Sequence, residues 1–182
     1  GKIYTVSNFY SDLTIFDPEN DDASITIPLS DTFSARGPRG IAITPENKIY
    51  VANEGSDNVS VIDTDLDGNN VYNQITLPVD SYPYGIAIAP DGKVYVANRD
   101  SVNITVLKGG NNNEIKEIPI SDTPFKISPF NVSYNENTDL LYVVNSSLIT
   151  VIDGSTNNVL ETIPVGANLI GLSVNQNTNL IY

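Results

Sequence analysis

One block recurs along the chain and leaves few folds open to it. Gly40-Ile-Ala-Ile-Thr-Pro-Glu-Asn-Lys-Ile-Tyr-Val-Ala-Asn53 returns as Gly85-Ile-Ala-Ile-Ala-Pro-Asp-Gly-Lys-Val-Tyr-Val-Ala-Asn98, and a looser copy spans Asn131 to Asn145. Tyrosines fall at matching places, Tyr4, Tyr50, Tyr95, Tyr142 and Tyr182. Hydroxyls follow at Thr14, Ser60, Thr105 and Thr150, 45 or 46 residues apart, and an apolar-Pro series falls at Pro28, Pro78, Pro119 and Pro164. Regular periods of this size mark stacked or circular repeat architectures.

Each unit reads as four short strands. Strand A (residues 40–43, 85–88, 131–134 and 170–174) is a short apolar run suited to burial on both faces. Pro-Glu-Asn and Pro-Asp-Gly then turn the chain. Strand B, Lys-Ile-Tyr-Val-Ala-Asn, is β-branched and aromatic without an internal polar residue. Strand C, Val-Ser-Val-Ile-Asp, alternates a hydroxyl with apolar positions. Strand D, as in Val159-Leu-Glu-Thr-Ile-Pro164, ends in a proline, as an outer edge strand can.

Four antiparallel strands per repeat predict an all-β fold, a β-propeller of about four blades forming one domain over residues 1–182. The chain begins at a strand B (Lys2-Ile-Tyr4) and stops where another begins (Asn179-Leu-Ile-Tyr182). It reads as a fragment of a larger ring or an arc completed by self-association with a second copy, ahead of a small closed four-blade ring. An open arc would expose the apolar faces of its end blades.

Composition narrows the chemistry. There is no cysteine, histidine, methionine or tryptophan. Disulfides, thiolate metal sites and thiol nucleophiles are therefore excluded, as are Ser-His and Cys-His pairs. A formal charge of -13 argues against nucleic acid and anionic membrane surfaces as partners. No apolar run reaches the roughly 18 residues of a membrane span, so no membrane insertion is expected, and no segment reads as a secretory signal.

The units Tyr50-Val-Ala-Asn53, Tyr95-Val-Ala-Asn98 and Tyr142-Val-Val-Asn145, with Val59-Ser-Val-Ile-Asp63 and Thr150-Val-Ile-Asp-Gly-Ser-Thr-Asn157, resemble YVTN β-propeller repeats. That family includes surface-layer and secreted proteins of archaea and bacteria. The resemblance covers essentially the whole chain, most weakly at Tyr4-Thr-Val-Ser7. It implies an extracellular module making contacts at a cell surface, and it has lyase-type relatives. Those lyases are expected to use a histidine, which this chain lacks.

Two places could carry recognition. In Asp63-Thr-Asp65-Leu-Asp67-Gly68-Asn69-Asn70, the side chains of Asp63, Asp65, Asp67 and Asn69 can converge on one Ca²⁺, with glycine permitting the reversal. Gln74 stands where an EF-hand would place its glutamate, and a solvated hairpin tip explains the same residues. Asp17-Pro-Glu19-Asn-Asp21-Asp22 is a fainter echo. In a four-stranded blade the B–C turns and D-to-A crossovers open on one face of the disc. Arg36, Arg39, Arg99 and Lys126 fall on that face with Tyr82, Tyr84 and Phe125. Cations among aromatic rings at a channel mouth can hold an anionic or sugar-like ligand. Exposed turn positions that happen to carry Arg and Tyr are the plainer reading.

Asn-x-Ser/Thr sequons at Asn58, Asn103, Asn131 and Asn145 fit a secreted chain, with Asn58 and Asn103 the better acceptors. Asn53, Asn98 and Asn145 read as turn-formers bonding their own backbone. The expected function is a non-catalytic cell-surface or secreted module contacting proteins or glycans. A lyase-type enzyme and an architectural surface-layer unit are the alternatives.

Overall fold

The computed structural model describes residues 1–20, 23–29, 37–64, 70–108, 115–120, 128–166 and 169–182. Seventeen strands form five antiparallel sheets among these residues, each sheet a simple meander. The first is β1 (Ile3–Ser7), β2 (Asp12–Asp17) and β3 (Ala23–Pro28). The second runs β4 (Pro38–Ile43), β5 (Lys48–Asn53), β6 (Asn58–Thr64) and β7 (Asn70–Thr76). The third is β8 (Pro83–Ile88), β9 (Val94–Asn98), β10 (Asn103–Leu107) and β11 (Ile115–Pro119). The fourth is β12 (Pro129–Asn135), β13 (Leu140–Asn145), β14 (Leu148–Asp153) and β15 (Val159–Pro164), and a hairpin of β16 (Val174–Asn175) and β17 (Leu180–Ile181) follows. Apart from a 3-10 turn at Glu54–Ser56, the described residues contain no helix, and so none long and apolar enough to cross a membrane.

The recurrent block is a recurrent register. Tyr4, Tyr50, Tyr95 and Tyr142 lie opposite Ile15, Val61, Val106 and Val151. The residues before them in strand C, Thr14, Ser60, Thr105 and Thr150, face Thr5, Val51, Val96 and Val143.

Burial on both faces explains the unbroken apolar run of strand B. Ile49 and Val51 join Leu13, Ile15, Ile27 and Leu29 of the first sheet, while Tyr50 and Ala52 face the third sheet with Val94 and Val96. Tyr95 and Ala97 then meet Val132, Tyr134, Leu141 and Val143 of the fourth. Alternation with period two thus delivers apolar side chains to both neighbours, and a blade lacks an aqueous face along its middle strands. Each fully buried Val, Leu or Ile contributes ~1.5–3 kcal/mol. The outer strand β15 is largely exposed.

Inner strands approach closely enough to exclude a side chain. A Cβ on Gly40 would stand 2.4 Å from Tyr84 O, and one on Gly85 2.8 Å from both Asn131 Cα and Phe130 O. Backbone-to-backbone contact between successive blades therefore demands glycine at these two places.

Three sequence expectations need correction. Strand A starts at Pro38, Pro83 and Pro129, earlier than the apolar run, because a register shift follows each proline. The bulge uses up the extra residues. The last strand A is confined to Val174–Asn175 instead of 170–174, since β16 has only the short β17 to pair with. Pro78 is not the counterpart of the other three prolines. Pro28, Pro119 and Pro164 lie opposite Asp12, Asn103 and Leu148, and the residue opposite Asn58 is Thr76. An edge strand needs no donor at its end, so proline can shift by two without a lost ladder bond.

Candidate anion site at the mouth face

Two sets of equivalent positions build one cluster. The bulge after the leading proline of strand A places Arg39, Tyr84 and Phe130 at matching points of three successive blades. The residue that follows strand B is Asn8, Glu54 or Arg99 in the first three. These sets interleave. Arg39 Nε donates to Glu54 Oε2 at 2.6 Å, and Arg99 Nη1 donates to the other oxygen of the same carboxylate. The Asn8 carboxamide, with its oxygen toward Arg39, accepts from Nη1 at 2.8 Å and Nη2 at 3.2 Å.

Aromatic rings lie beside the cations. Arg39 Cζ is 5.3 Å and Arg99 Cζ 6.0 Å from the Tyr84 centroid, and Arg99 Cζ is 5.7 Å from the Phe130 centroid. Tyr84 and Phe130 meet edge to face at 6.0 Å. A guanidinium within about 6 Å of a ring centroid is attracted to its face. The Glu54 hydrogen bond raises the Arg99 pKa above its ordinary value, against the opposing effect of burial. Glu54 is 12% exposed, Arg39 35% and Arg99 41%. Arg39, Arg99 and Glu54 together carry a charge of +1, and the neighbouring Asp100 carboxylate also acts on Arg99, on a protein of net charge -13.

Backbone bonds fix the frame. Glu54 N–H donates to Gly37 O and Arg99 N–H to Tyr82 O, each at 3.0 Å. Asp57 accepts from the N–H of Asp80 at 3.0 Å and of Tyr82 at 2.8 Å, tying the second blade's B–C turn to the crossover into the third. Tyr82 holds φ 48°, a left-handed conformation that a bulky residue rarely adopts.

Of the sequence-predicted mouth-face residues, Arg39, Tyr84 and Arg99 come together. Tyr82 joins through its carbonyl, and Arg36, Phe125 and Lys126 lie outside the described residues. Reading by residue type missed Asn8, Glu54 and Phe130. Their signal is positional: Glu54 follows Asn53 as Arg99 follows Asn98, and Phe130 follows Pro129 as Tyr84 follows Pro83.

For the expected calcium loop, Asp65, Asp67 and Asn69 lie outside the described residues, as do Asp21 and Asp22 of its echo. Asp63 is exposed, with Oδ2 3.9 Å from Lys48 Nζ. Its counterpart Asp153 accepts at one oxygen from Ser155 Oγ, Thr156 N and Thr156 Oγ1 at 2.7, 2.7 and 2.8 Å. Those bonds, the Ser155 hydroxyl first, lower its pKa to about 2. Among the described residues no group of three or more His, Cys, Asp or Glu is placed to hold a metal.

Asn53, Asn98 and Asn145 do not cap their own turns. They are fully buried, and their Nδ2 atoms donate to Ser60, Thr105 and Thr150 at 2.7, 2.7 and 3.4 Å. Strand pairing brings the next strand's hydroxyl within reach, so the amide bonds across the blade. Asn53 also donates to Asn58 Oδ1 at 2.7 Å. Asn58 is therefore buried, as is Asn145, which corrects its ranking as a good glycan acceptor.

On the opposite face Tyr95 and Tyr134 stack at 6.0 Å between blades. The Tyr95 hydroxyl lies 3.1 Å from Gly154 O and 3.2 Å from Asn157 Oδ1, and Tyr134 donates to Asp139. Burial first, then neighbouring carboxylates, pushes both phenols well above their ordinary range.

A family model described as lactonase, 7-bladed β-propeller matches residues 14–158. The solved selenomethionine-substituted virginiamycin B lyase from Staphylococcus aureus is similar at TM-score 0.80 and 17% identity, over 100% of this chain and 58% of that one. The catalytically inactive form of that lyase in which one histidine is replaced by alanine, with quinupristin, is similar at 0.77 and 18% identity, over 92% and 53%. A Bacteroides uniformis protein described as a candidate 6-phosphogluconolactonase gives 0.76 at 12% identity, over 99% and 59%. The chain thus spans between half and three fifths of these relatives. Among curated proteins none matches.

Proposed function

Because the chain belongs to the lactonase family of seven-bladed β-propellers, we propose that it is an arc of a small-molecule-handling propeller whose mouth-face cluster binds the anionic group of a lactone- or lyase-type substrate. One observation carries this reading: Arg39 and Arg99, from adjacent blades, converge on a single carboxylate beside the rings of Tyr84 and Phe130. Each guanidinium offers five donors, and a partly exposed pair beside aromatic rings suits a carboxylate or phosphate attached to an apolar body. The family match supports small-molecule chemistry over the cell-surface contact that the repeat resemblance implied. In this reading the two guanidinium groups supply binding and charge stabilisation.

Calorimetric titration of the chain with benzoate and with inorganic phosphate tests this. Saturable binding of either, lost in Arg99→Ala with the fold retained by circular dichroism, is expected. Binding unchanged in both Arg99→Ala and Arg39→Ala would overturn the reading.

A further inference from the structure

Glu54 stands between the arginines as an anion would. Its two oxygens are each taken by a different guanidinium, and it is the least exposed of the three side chains. Arg39 is the more occupied cation, because Asn8 takes two of its remaining donors. Arg99 makes no side-chain hydrogen bond other than the one to Glu54 among the described residues, and it is the more exposed. An anion bound at Arg99 therefore has Tyr84 and Phe130 beside it and the Glu54 and Asp100 charges close by.

Building on the reading that this cluster binds an anion, we propose that Glu54 is a specificity-determining residue that cuts the site's charge preference for dianions and so favours ring-bearing monocarboxylates over phosphate. The two arginines attract a dianion about twice as strongly as a monoanion, and a fixed negative charge one guanidinium away takes back about twice as much from the dianion, so Glu54 narrows the lead that charge alone gives it. Glu54 reduces the attraction of the two arginines from two positive charges to one, and Asp100, which also acts on Arg99, reduces it further. A carboxylate whose body is a flat ring also gains contact with Tyr84 and Phe130, which inorganic phosphate cannot use. Discrimination by an unfavourable charge is a common route to specificity.

The measurement is calorimetric titration with benzoate and inorganic phosphate, at fixed ionic strength and a pH of about 8 where phosphate is mainly the dianion, on wild type, Glu54→Gln and Glu54→Asp. Wild type should prefer benzoate. Glu54→Gln keeps the side-chain shape and should tighten phosphate by about tenfold, and benzoate by less, so that the preference shrinks or reverses. Glu54→Asp keeps the charge and should keep the preference. An unchanged benzoate-to-phosphate ratio in Glu54→Gln, or weaker binding of both anions there but not in Glu54→Asp, overturns the assignment while leaving the anion site standing. Absence of binding in wild type and Glu54→Gln alike removes the anion site and this inference with it.

Discussion

Tyr82 occupies in the third blade the left-handed position that Gly37 fills in the second. Each precedes a proline, each accepts the N–H of the residue that follows strand B, and their φ angles are 48° and 68°. The geometry is required by the inter-turn hydrogen bond and not by the residue, and glycine alone adopts it without strain. Gly37→Val should therefore destabilise the fold by about 1–3 kcal/mol. Tyr82→Gly should shift the melting temperature little or raise it, since relief of strain offsets glycine's entropy in the unfolded chain. Thermal melts of the two variants check this, and equal losses would show that the Tyr82 ring is held by packing.

The buried amide–hydroxyl bonds predict a second contrast. Thr105→Val removes the acceptor of Asn98 Nδ2 inside a fully buried pair and should cost about 1–3 kcal/mol. Thr14→Val breaks an exposed hydroxyl pair with Thr26 at 3.3 Å and should stay within about 0.5 kcal/mol. Urea unfolding of both variants measures the difference.

Alkaline stability follows from Tyr95 and Tyr134. Their folded-state pKa values are raised above the ordinary 10.0, so the folded chain holds protons that the unfolded chain releases. The contribution is complete below pH about 10 and is lost as pH rises from there toward the folded values. Tyr95→Phe should flatten that decline and lower stability near neutrality by about 1 kcal/mol, the worth of the lost hydrogen bond. Denaturant midpoints measured from pH 8 to 11 decide it.

Acid stability has a marker in Asp153. Its folded pKa of about 2 lies below the ordinary 3.8, so its contribution is present above pH about 4 and disappears as pH falls toward 2. Asp153→Asn should weaken the pH dependence in that window, read as midpoints between pH 2 and 5.

Calcium binding by Asp63, Asp65, Asp67 and Asn69 remains our proposal from the sequence. A melting temperature that rises with added Ca²⁺, falls on chelation and no longer responds in Asp65→Ala is the expected outcome. An identical melt with and without chelator would dismiss the site.

The sequence by itself determined the blade. The tyrosine and hydroxyl ladders mark strands B and C of each unit, while their register, with each tyrosine opposite the residue after the hydroxyl, came from the structure. The sequence also determined the face on which Arg39, Tyr84 and Arg99 would lie. Only the tertiary structure decided that Glu54, Asn8 and Phe130 complete the cluster, and that Pro78 falls out of its series. Those relationships join residues in different blades. The distance between a bulge residue and the next turn round the axis depends on how closely the backbones at Gly40 and Gly85 let successive sheets approach, a quantity that no local pattern of residues encodes.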